Sequence, residues 1–307
     1  MNTNWTIARR RPALEARARI IQSIRQYFIQ EGFLETETPL RIPAPAPESH
    51  IDAIPSDGWF LQTSPELCMK RLLAAGYERI FQLCHCWRAE ERGNRHLPEF
   101  TMLEWYRAHS DYNDLMVDCE NMMRSVAATC GNGSTLMVQG KDVKLDRAWQ
   151  RLTVREAFAR FGGITMEDAL AADRFDEVMV EAIEPQLGIG QPTFLCDYPA
   201  ARGALARLKA DDPSVAERFE LYISGIELAN GFSELTDASE QRFRFEQEEQ
   251  YRRSSGRIPY PEPSKFLEEL PAMPPAAGIA LGVDRLVMVM LDATSIDQVV
   301  AFTPEEL

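Results

Sequence analysis

The chain has 307 residues, of which 45% are apolar, a composition that supports a substantial buried core rather than disorder. Its formal net charge of −14 disfavours, without excluding, a protein held by many phosphates of a nucleic acid. No apolar run reaches the length of a membrane span, and the six cysteines lack a disulfide-framework spacing, so we expect a soluble cytoplasmic protein with reduced thiols.

The first elements are a predicted helix and a short strand. Apolar spacing indicates an amphipathic helix over residues 12–30 that ends before Gly32, followed by extended backbone at Pro39. Residues 59–63 then indicate a strand. Ser64 is expected as the N-cap of the next helix and Pro65 as its first residue, with Glu66 in the first turn.

Two aromatic-rich runs, residues 81–87 and 100–106, flank a charged loop and predict a long-looped antiparallel hairpin. Arg88 and Glu90 are two residues apart and should share a face of the first strand, as should Glu104 and Tyr106 on the return strand. A guanidinium beside carboxylates and an aromatic ring suits a planar anion such as a nucleotide. Ordinary ion pairs on a solvated face are the alternative, and spacing alone leaves both open.

A metal site at Cys84 and Cys86 is disfavoured. The two thiols would share one face of a strand, but no second close pair completes a tetrahedral zinc site.

The second half of the chain alternates predicted helices and strands. We expect helices over residues 112–129 and 239–254, the latter with charges facing solvent, and a helical insertion at about residues 150–190 that opens with a capping box at Thr153 and Glu156. Residues 194–199 predict a strand, and residues 216–228 a long strand or a bent hairpin. Residues 278–291 run from small residues into an apolar helix, whereas residues 131–150 carry little signal.

Four motifs in this order resemble those of class II aminoacyl-tRNA synthetases. WRAEE followed by HLPEFTMLEW resembles the second signature motif in its lysyl form, FLETETP at residues 33–39 the first, and GIALGVDRL at residues 278–286 the third. GIELANGFSEL at residues 225–235 resembles the lysine-reading strand of lysyl-tRNA synthetases. The resemblance implies one catalytic domain over residues 1–307 with an α+β fold, an antiparallel β-sheet flanked by helices, and a homodimer formed through the first motif.

The resemblance also implies that ATP and Mg²⁺ are used. It places Arg88 on the α-phosphate and the substrate carboxylate, Arg285 on the γ-phosphate and against the adenine, and Phe100 on the opposite adenine face. Glu90 is expected at the adenine amino group. The other nucleotide positions carried over are Leu97 (where related proteins tend to have asparagine), Glu227, Leu228 and Gly282.

Two acids are implied as magnesium ligands, Glu220 and Glu227. Without the resemblance they would be read as exposed strand glutamates, and Arg285 as a helix-start arginine paired with Asp284.

The implied amino-acid pocket carries acids that would select a second ammonium group, because buried carboxylates are costly unless they are paired. Glu234 resembles the acid that meets the side-chain amine of lysine. We therefore expect lysine or an isomer with two amines as substrate. The remaining substrate-facing positions are Ser64, Glu66, Glu104, Tyr106, Asn230 and Ala280.

Only one helix is predicted before the first motif, so we expect no β-barrel anticodon-binding domain and no tRNA partner. A core of this kind resembles the elongation factor P β-lysine ligases, which activate (R)-β-lysine and attach it to a lysine side chain of that factor. Ala280 stands where lysyl-tRNA synthetases usually have glycine, and one methyl group can shift the preference between isomers by about 1–3 kcal/mol.

Three alternatives stay open at this stage. They are a stand-alone enzyme that aminoacylates tRNA with lysine, a small-molecule ligase of the asparagine-synthetase type, and a non-catalytic regulatory paralogue. Glu234 and Asn230 disfavour the second. The third would be expected to lose Arg88, Arg285, Glu220 or Glu227, and all four are present.

Overall fold

The predicted hairpin lies at the centre of a large β-sheet. The structure is a computed structural model that describes residues 4–307, with side chains from residue 7 onward. The helices of this described part are α1 (Asn4–Gln30), α2 (Glu66–Ala74), α3 (Tyr112–Thr129), α4 (Val154–Ala157), α5 (Met166–Ala171), α6 (Phe175–Val178), α7 (Ala238–Ser254), α8 (Ser264–Glu269) and α9 (Val283–Met290). Its strands are β1 (Leu34–Glu35), β2 (Arg41–Ile42), β3 (Pro55–Ser56), β4 (Trp59–Leu61), β5 (Arg79–Trp87), β6 (Glu99–Ala108), β7 (Thr135–Val138), β8 (Lys141–Lys144), β9 (Gln150–Thr153), β10 (Thr193–Pro199), β11 (Val215–Ile223), β12 (Ile226–Ser233) and β13 (Ala276–Gly282).

Eight of the described strands form one sheet in the order β1-β5-β6-β13-β12-β11-β10-β9. The inner pairs from β5 to β10 are antiparallel, which confirms the predicted sheet. The edges differ from the prediction, because β1 pairs with β5 and β9 pairs with β10 in parallel. Both parallel edge strands join the sheet through helical connections, as parallel pairing requires, whereas the inner neighbours include tight hairpins.

The two faces of the sheet have different surroundings. Alternate residues of the inner strands, among them Trp105, Leu221 and Ile279, face helices α1, α3 and α9 and belong to the main apolar core. The intervening residues, such as Glu104 and Asn230, point to the opposite face because side chains alternate along a strand. One face is therefore the core of the domain, and the other is available for a site.

The predicted helical insertion is present between β9 and β10. Thr153 and Glu156 form the expected capping box of α4, and helical turns continue through π-helical segments at Phe158–Gly162 and Met179–Ile183. These turns pack around a second apolar cluster in which Phe158 stacks on Phe175 with ring centroids 5.1 Å apart. Tyr198 and Tyr222 from the large sheet join that cluster, so the insertion covers β10 and β11.

Two hairpins turn on two-residue loops with left-handed backbone. Residues 216–228 are a bent hairpin, β11–β12, with Ser224 and Gly225 at φ 49° and 70°. The pair β7–β8 was missed by the sequence analysis, although Gln139 and Gly140, at φ 52° and 72°, form a turn of the same kind. The signal was weak because these strands have only four residues each.

Helix α1 is longer than predicted. It begins at Asn4 and passes through Pro12, which the prediction took as the helix start. A proline inside a helix removes one backbone hydrogen bond. The segment before it is held by tertiary contacts, since Arg10 Nη1 donates to the carbonyl oxygen of Ala301 at 3.1 Å and pairs with Glu306 Oε2 at 2.6 Å. Such contacts are invisible to local sequence patterns.

Gly231 gives a direct test of sheet packing. A Cβ atom at this position would lie 2.7 Å from Phe219 Cζ and 3.0 Å from Ile279 Cβ. We expect Gly231→Ala to lower the free energy of unfolding by about 1–3 kcal/mol through overpacking, measured by urea denaturation. The matched control is Gly93→Ala, where the added methyl meets no atom within 4 Å. Equal stability of the two variants would contradict the described packing.

Candidate active site

The floor of the site consists of two rows of side chains that cross the sheet from β6 to β11. Cross-strand pairing in register brings these residues opposite one another on the face away from the core. The first row is Glu104, Ala280, Asn230 and Glu220, and the second is Tyr106, Gly278, Phe232 and Arg218. The second motif, the third motif and the strand that resembles a lysine-reading strand therefore meet on one surface.

A cleft of about 260 Å³ lies over one end of this floor. All of the predicted nucleotide and magnesium positions except Glu90 line it. They are Arg88, Leu97, Phe100, Glu220, Glu227, Leu228, Gly282 and Arg285. The fold thus collects residues from three separate motifs around one cavity, which supports their assignment to one ligand.

Arg285 is fixed at the mouth of the cleft by several partners. Its Nη1 donates to the backbone oxygen of Glu227 at 3.0 Å and to Oε2 of the same residue at 3.1 Å, and its Nη2 donates to His96 Nε2 at 2.5 Å. Burial and the neighbouring Arg285 lower the pKa of His96, consistent with a neutral imidazole that accepts this hydrogen bond. The alternative pairing of Arg285 with Asp284 is not observed, because Asp284 accepts from Arg17 and from the backbone of Thr101.

Arg88 lies over a ring rather than over open solvent. Its guanidinium carbon is 5.2 Å from the centroid of Phe100, and Nη1 is 3.8 Å from Glu91 Oε1. Phe100 therefore contacts Arg88 in this structure, and the sandwich of an adenine between Phe100 and Arg285 stays a prediction. Arg88 lines both the cleft and the smaller pocket beside it, a position from which one cation can reach two anions.

The prediction that Glu90 shares a strand face with Arg88 is wrong. Strand β5 ends at Trp87, and Glu90 has φ 64° in the following turn, so strand alternation does not extend to it. Its side chain is exposed, and the adjacent Glu91 lines the cleft instead. A contact between Glu90 and adenine stays a prediction that this arrangement does not support.

Glu220 and Glu227 lie together at the far side of the cleft. Glu220 accepts hydrogen bonds from the hydroxyls of Tyr198 and Tyr222, both at 2.6 Å, and pairs with Arg218 Nη2 at 2.6 Å. Glu184, from the helical insertion, was missed by the sequence analysis. Burial and the charges of Glu220 and Glu227 raise its pKa to about 7. This end of the cleft therefore brings three acids together, of which Glu220 and Glu227 are paired with Arg218 and Arg285.

Metal ligation by three or more side chains is not found in the described residues, since no group of three histidine, cysteine, aspartate or glutamate side chains has a suitable arrangement. Cys84 Sγ and Cys86 Sγ are 3.9 Å apart and belong to no such group among the described residues. Two glutamates still suit Mg²⁺, which is commonly held by one or two carboxylates together with phosphates and water.

A smaller pocket of about 60 Å³ adjoins the cleft. It shares Glu48, Arg88, Met102, Asn230 and Ala280 with the cleft, so the two cavities lie side by side. The predicted substrate positions that line it are Ser64, Glu66, Glu104, Tyr106, Asn230 and Ala280. Glu234 is fully buried and lies behind this surface.

Lys70 is a buried cation that the sequence analysis missed. Its Nζ lies 2.5 Å from Glu66 Oε1 and 2.5 Å from Glu234 Oε2. Burial alone would lower the pKa of Lys70, but the two carboxylates outweigh that effect and raise it, so the amine is charged. A signal was available, because Lys70 follows Glu66 by four residues on one helix face.

Glu104 occupies the centre of the pocket without a cation of its own. It accepts hydrogen bonds from Ser64 Oγ at 2.6 Å and from the hydroxyl of Tyr106 at 2.8 Å. Burial and the charge of Glu66 raise the pKa of Glu104 to about 8. Ser64 also accepts the backbone N–H of Glu66 at 3.0 Å, although α2 begins at Glu66 with Pro65 as its N-cap, one residue later than predicted.

The charges around this pocket do not cancel. Glu66, Glu104 and Glu234 share a single cation, Lys70, so the cluster would carry a net charge of −2 with all three acids ionised. Burial raises the pKa of Glu104 to about 8 and also raises the pKa of Glu234, so protons hold part of this charge in the free protein. A buried negative excess is costly unless a cation enters. The pocket is therefore suited to a small ligand with two ammonium groups.

Gly278 allows these groups to approach closely. A Cβ atom there would lie 2.2 Å from Tyr106 Cε1 and 2.5 Å from Glu234 Oε1. Any side chain at this position would displace the tyrosine or the acid, so the glycine of the third motif serves the packing behind the pocket.

A loop at residues 48–53 forms one wall of both cavities and is held by α7 and the chain that follows it. The fully buried Arg252 donates from Nη1 to the backbone oxygens of Glu48 and Ile51 at 2.7 and 2.8 Å, and from Nη2 to Asp52 Oδ1 at 2.9 Å. Its burial corrects the prediction that the charges of residues 239–254 face solvent. The hydroxyl of Tyr260 accepts from the backbone of Ala53 at 2.7 Å.

Comparisons with known proteins identify the family of this chain and similar proteins within it. Residues 5–306 match the family of class II tRNA synthetases (D, K and N). The chain therefore belongs to the class II tRNA synthetase family. Within it, the chain is 40% identical to proteins named elongation factor P--(R)-beta-lysine ligase from Enterobacter sp. (strain 638) and Salmonella paratyphi B, over 97% of each chain. It is thus a member of the ligase branch that the motifs suggested.

No helix in the described part of the chain combines the length and apolarity needed to cross a lipid bilayer.

Lys70→Met tests the buried charge cluster. Removing the cation leaves Glu66 and Glu234 facing each other, and we expect the free energy of unfolding to fall by about 3–5 kcal/mol at pH 8. Burial raises the pKa of Glu234, and the variant loses the opposing charge of Lys70, so protonation of Glu234 stabilises the folded state at low pH and this stabilisation is lost as the pH rises. The deficit relative to wild type should therefore be smaller at pH 5, as measured by urea denaturation at both pH values.

The control is the double variant Lys70→Met/Glu234→Gln, which removes one of the opposing charges and should recover part of the loss at pH 8. An equal deficit at pH 5 and pH 8, with no recovery in the double variant, would show that Lys70 contributes packing rather than charge.

Proposed function

We propose that the protein activates (R)-β-lysine with ATP as an aminoacyl adenylate and transfers it to a lysine side chain of translation elongation factor P. One observation carries this proposal. A pocket with three acids and one buried amine adjoins a cleft lined by Arg88 and Arg285, and Arg88 lines both, so a diamino acid and a nucleotide can meet at Arg88. The names of the relatives support the identity of the amino acid and of the acceptor.

The first step joins the substrate carboxylate to the α-phosphate of ATP and releases pyrophosphate. Both reactants are anions, so the protein's main contribution is charge stabilisation and alignment rather than a nucleophile of its own. Arg88 lies where the two cavities join and would contact both anions. Asn230 is held by Arg218, whose Nε donates to its Oδ1 at 3.0 Å, and this contact fixes the floor beside the reacting groups.

Magnesium fits the same end of the cleft. When bound, Mg²⁺ neutralises phosphate charge and helps pyrophosphate to leave. Glu220 and Glu227 would hold it, with Glu184 close enough to add to the negative field. Before the ion binds, Arg218 and Arg285 balance these two acids.

We further propose a cytoplasmic homodimer formed through the first motif. Three large apolar side chains around that motif are 44–58% exposed, namely Ile29, Leu34 and Leu40. Exposed apolar side chains close together are common at interfaces between subunits. A protein acceptor rather than tRNA also suits the net charge of −14.

The proposal predicts ATP–pyrophosphate exchange that depends on the amino acid. Exchange with (R)-β-lysine should have a kcat/KM well above that with L-α-lysine, and the loaded protein should then modify elongation factor P. Preference for L-α-lysine would favour an enzyme that transfers lysine to tRNA or another acceptor. Absence of exchange with both isomers would favour a regulatory paralogue.

Ala280→Gly belongs to the same experiment. Ala280 lines both cavities and lies opposite Glu104 across the sheet. If its methyl group distinguishes the isomers, the variant should change their relative kcat/KM by an amount equivalent to about 1–3 kcal/mol. An unchanged ratio would contradict a role for Ala280 in isomer preference.

The pKa of Glu104 predicts how KM for the diamino acid depends on pH. Its raised pKa, about 8, means that this acid is mostly protonated in the free protein at pH 7. An incoming ammonium group favours the ionised form, so KM for the diamino acid should fall several-fold as the pH rises from 6.5 to 8. In Glu104→Gln, KM should be higher and this fall should be lost; a fall that persists in the variant would assign it to another group.

A further inference from the structure

A third cavity, the outer cavity, meets the cleft and the amino-acid pocket at Glu48. The outer cavity has a volume of about 470 Å³ and is lined in part by Leu205, Phe245 and the small side chains of residues 200–204. Among the residues that the structure describes, Glu48 alone lines all three cavities. This acid has no part in the activation step as derived above.

Glu48 lies where the cleft and the amino-acid pocket, the two cavities for the reactants, meet. An aminoacyl adenylate must span the cleft and the pocket, so its carbonyl carbon has to lie near the residues that both cavities share. Those residues are Glu48, Arg88, Met102, Asn230 and Ala280. Glu48 is the member of this set whose side chain can accept a proton at neutral pH.

The backbone of Glu48 is anchored, but its carboxylate is not. Arg252 fixes the backbone oxygen of Glu48 and Ser49 N donates to Glu248 at 2.8 Å, whereas no described residue makes a hydrogen bond or ion pair with the Glu48 carboxylate. Burial raises the pKa of Glu48 to about 7, with Glu66 and Glu248 adding to the rise and Arg88 and Arg218 opposing it. An acid with such a pKa can take up and release a proton at neutral pH.

We propose that Glu48 is the general base of the transfer step, acting on the ammonium group of an acceptor lysine that arrives through the outer cavity. This inference rests on the proposed function. The lysine ammonium gives one proton to the Glu48 carboxylate, and the neutral amine attacks the adenylate carbonyl. A C–N bond forms, the bond from the carbonyl carbon to the phosphate oxygen breaks, and AMP leaves with that electron pair. The second nitrogen proton and the proton on Glu48 pass to water.

The charged surroundings of Glu48 are mixed rather than uniformly acidic. Besides the four groups already named, Glu104 lines the amino-acid pocket and Glu220 lines the cleft. In the outer cavity Asp176 pairs with Arg202, and Arg244 pairs with Glu240, so these groups are mutually neutralised. The apolar lining between them suits the aliphatic stem of a lysine side chain.

The test compares two nucleophiles on the preformed (R)-β-lysyl adenylate bound to the full-length protein. Elongation factor P presents a lysine that must lose a proton before it attacks, whereas hydroxylamine is already neutral at pH 7 and yields a hydroxamate. In Glu48→Gln the ratio of hydroxamate formation to lysine transfer should rise about 100-fold or more, as expected for loss of a general base. A ratio equal to that of wild type would overturn the proposal.

The pH profile gives a second readout that includes wild-type protein and so does not depend on the folding of a variant. Single-turnover transfer by wild type should rise with pH to a plateau above about pH 7, following Glu48. In Glu48→Gln the rate should instead keep rising toward about pH 10, following the acceptor lysine itself. A wild-type rate that rises steadily to that pH would overturn the proposal.

Glu248→Gln is the matched control, because it also changes an acid of the outer cavity and can still accept the hydrogen bond from Ser49. It should retain the wild-type nucleophile ratio and a plateau in the pH profile that begins at slightly lower pH, because one charge that raises the pKa of Glu48 is removed; loss of both the ratio and the plateau would assign the effect to the position of the loop rather than to the Glu48 carboxylate. Absence of hydroxamate from wild-type protein with (R)-β-lysine would overturn the proposed function itself, and this inference with it.

Discussion

The site depends above all on the register of four antiparallel strands. Glu104, Ala280, Asn230 and Glu220 come from parts of the chain up to 176 residues apart, 104 to 280, yet pairing places them in one row. A slip of one residue in any strand would turn its side chains into the apolar core and bring core residues to the cleft. The same alternation that buries Trp105 and Ile279 against the helices therefore orders the reacting groups.

The second constraint is the treatment of buried charge. Lys70 compensates two acids from opposite sides of the pocket, and Gly278 lets one of them come close to Tyr106. What remains is a deficit of positive charge that a diamino acid can fill. The amino-acid pocket thus recognises its substrate through acids that Lys70 leaves without a cation, and not through a large number of contacts.

Local sequence patterns predicted the hairpin, the motif strands, helix α3 and the capping box of α4, because each depends on neighbours within a few residues. They failed where contacts at long sequence separation decide. Arg252 reads as one charge among many in a polar helix, and only its burial against residues 48–52 shows its role. Glu90 was placed by strand alternation, which stops at the turn, and Glu48 lies in a proline-rich loop without periodicity. The resemblance to a family supplied the residue roles, but it could not supply Lys70 or Glu184.

Two of the three hydrogen bonds from Arg252 to the loop at residues 48–53 go to backbone oxygens, and the third goes to the Asp52 carboxylate. At residue 48 the anchored atom is the backbone oxygen, which every amino acid possesses, and no hydrogen bond of the Glu48 side chain contributes to the anchorage. Mutational drift can exchange that side chain while the main chain keeps its course. The fold in this way separates the backbone that positions the loop from the side chain at residue 48. A single substitution at this residue would allow related enzymes to use acceptors with different acid–base properties.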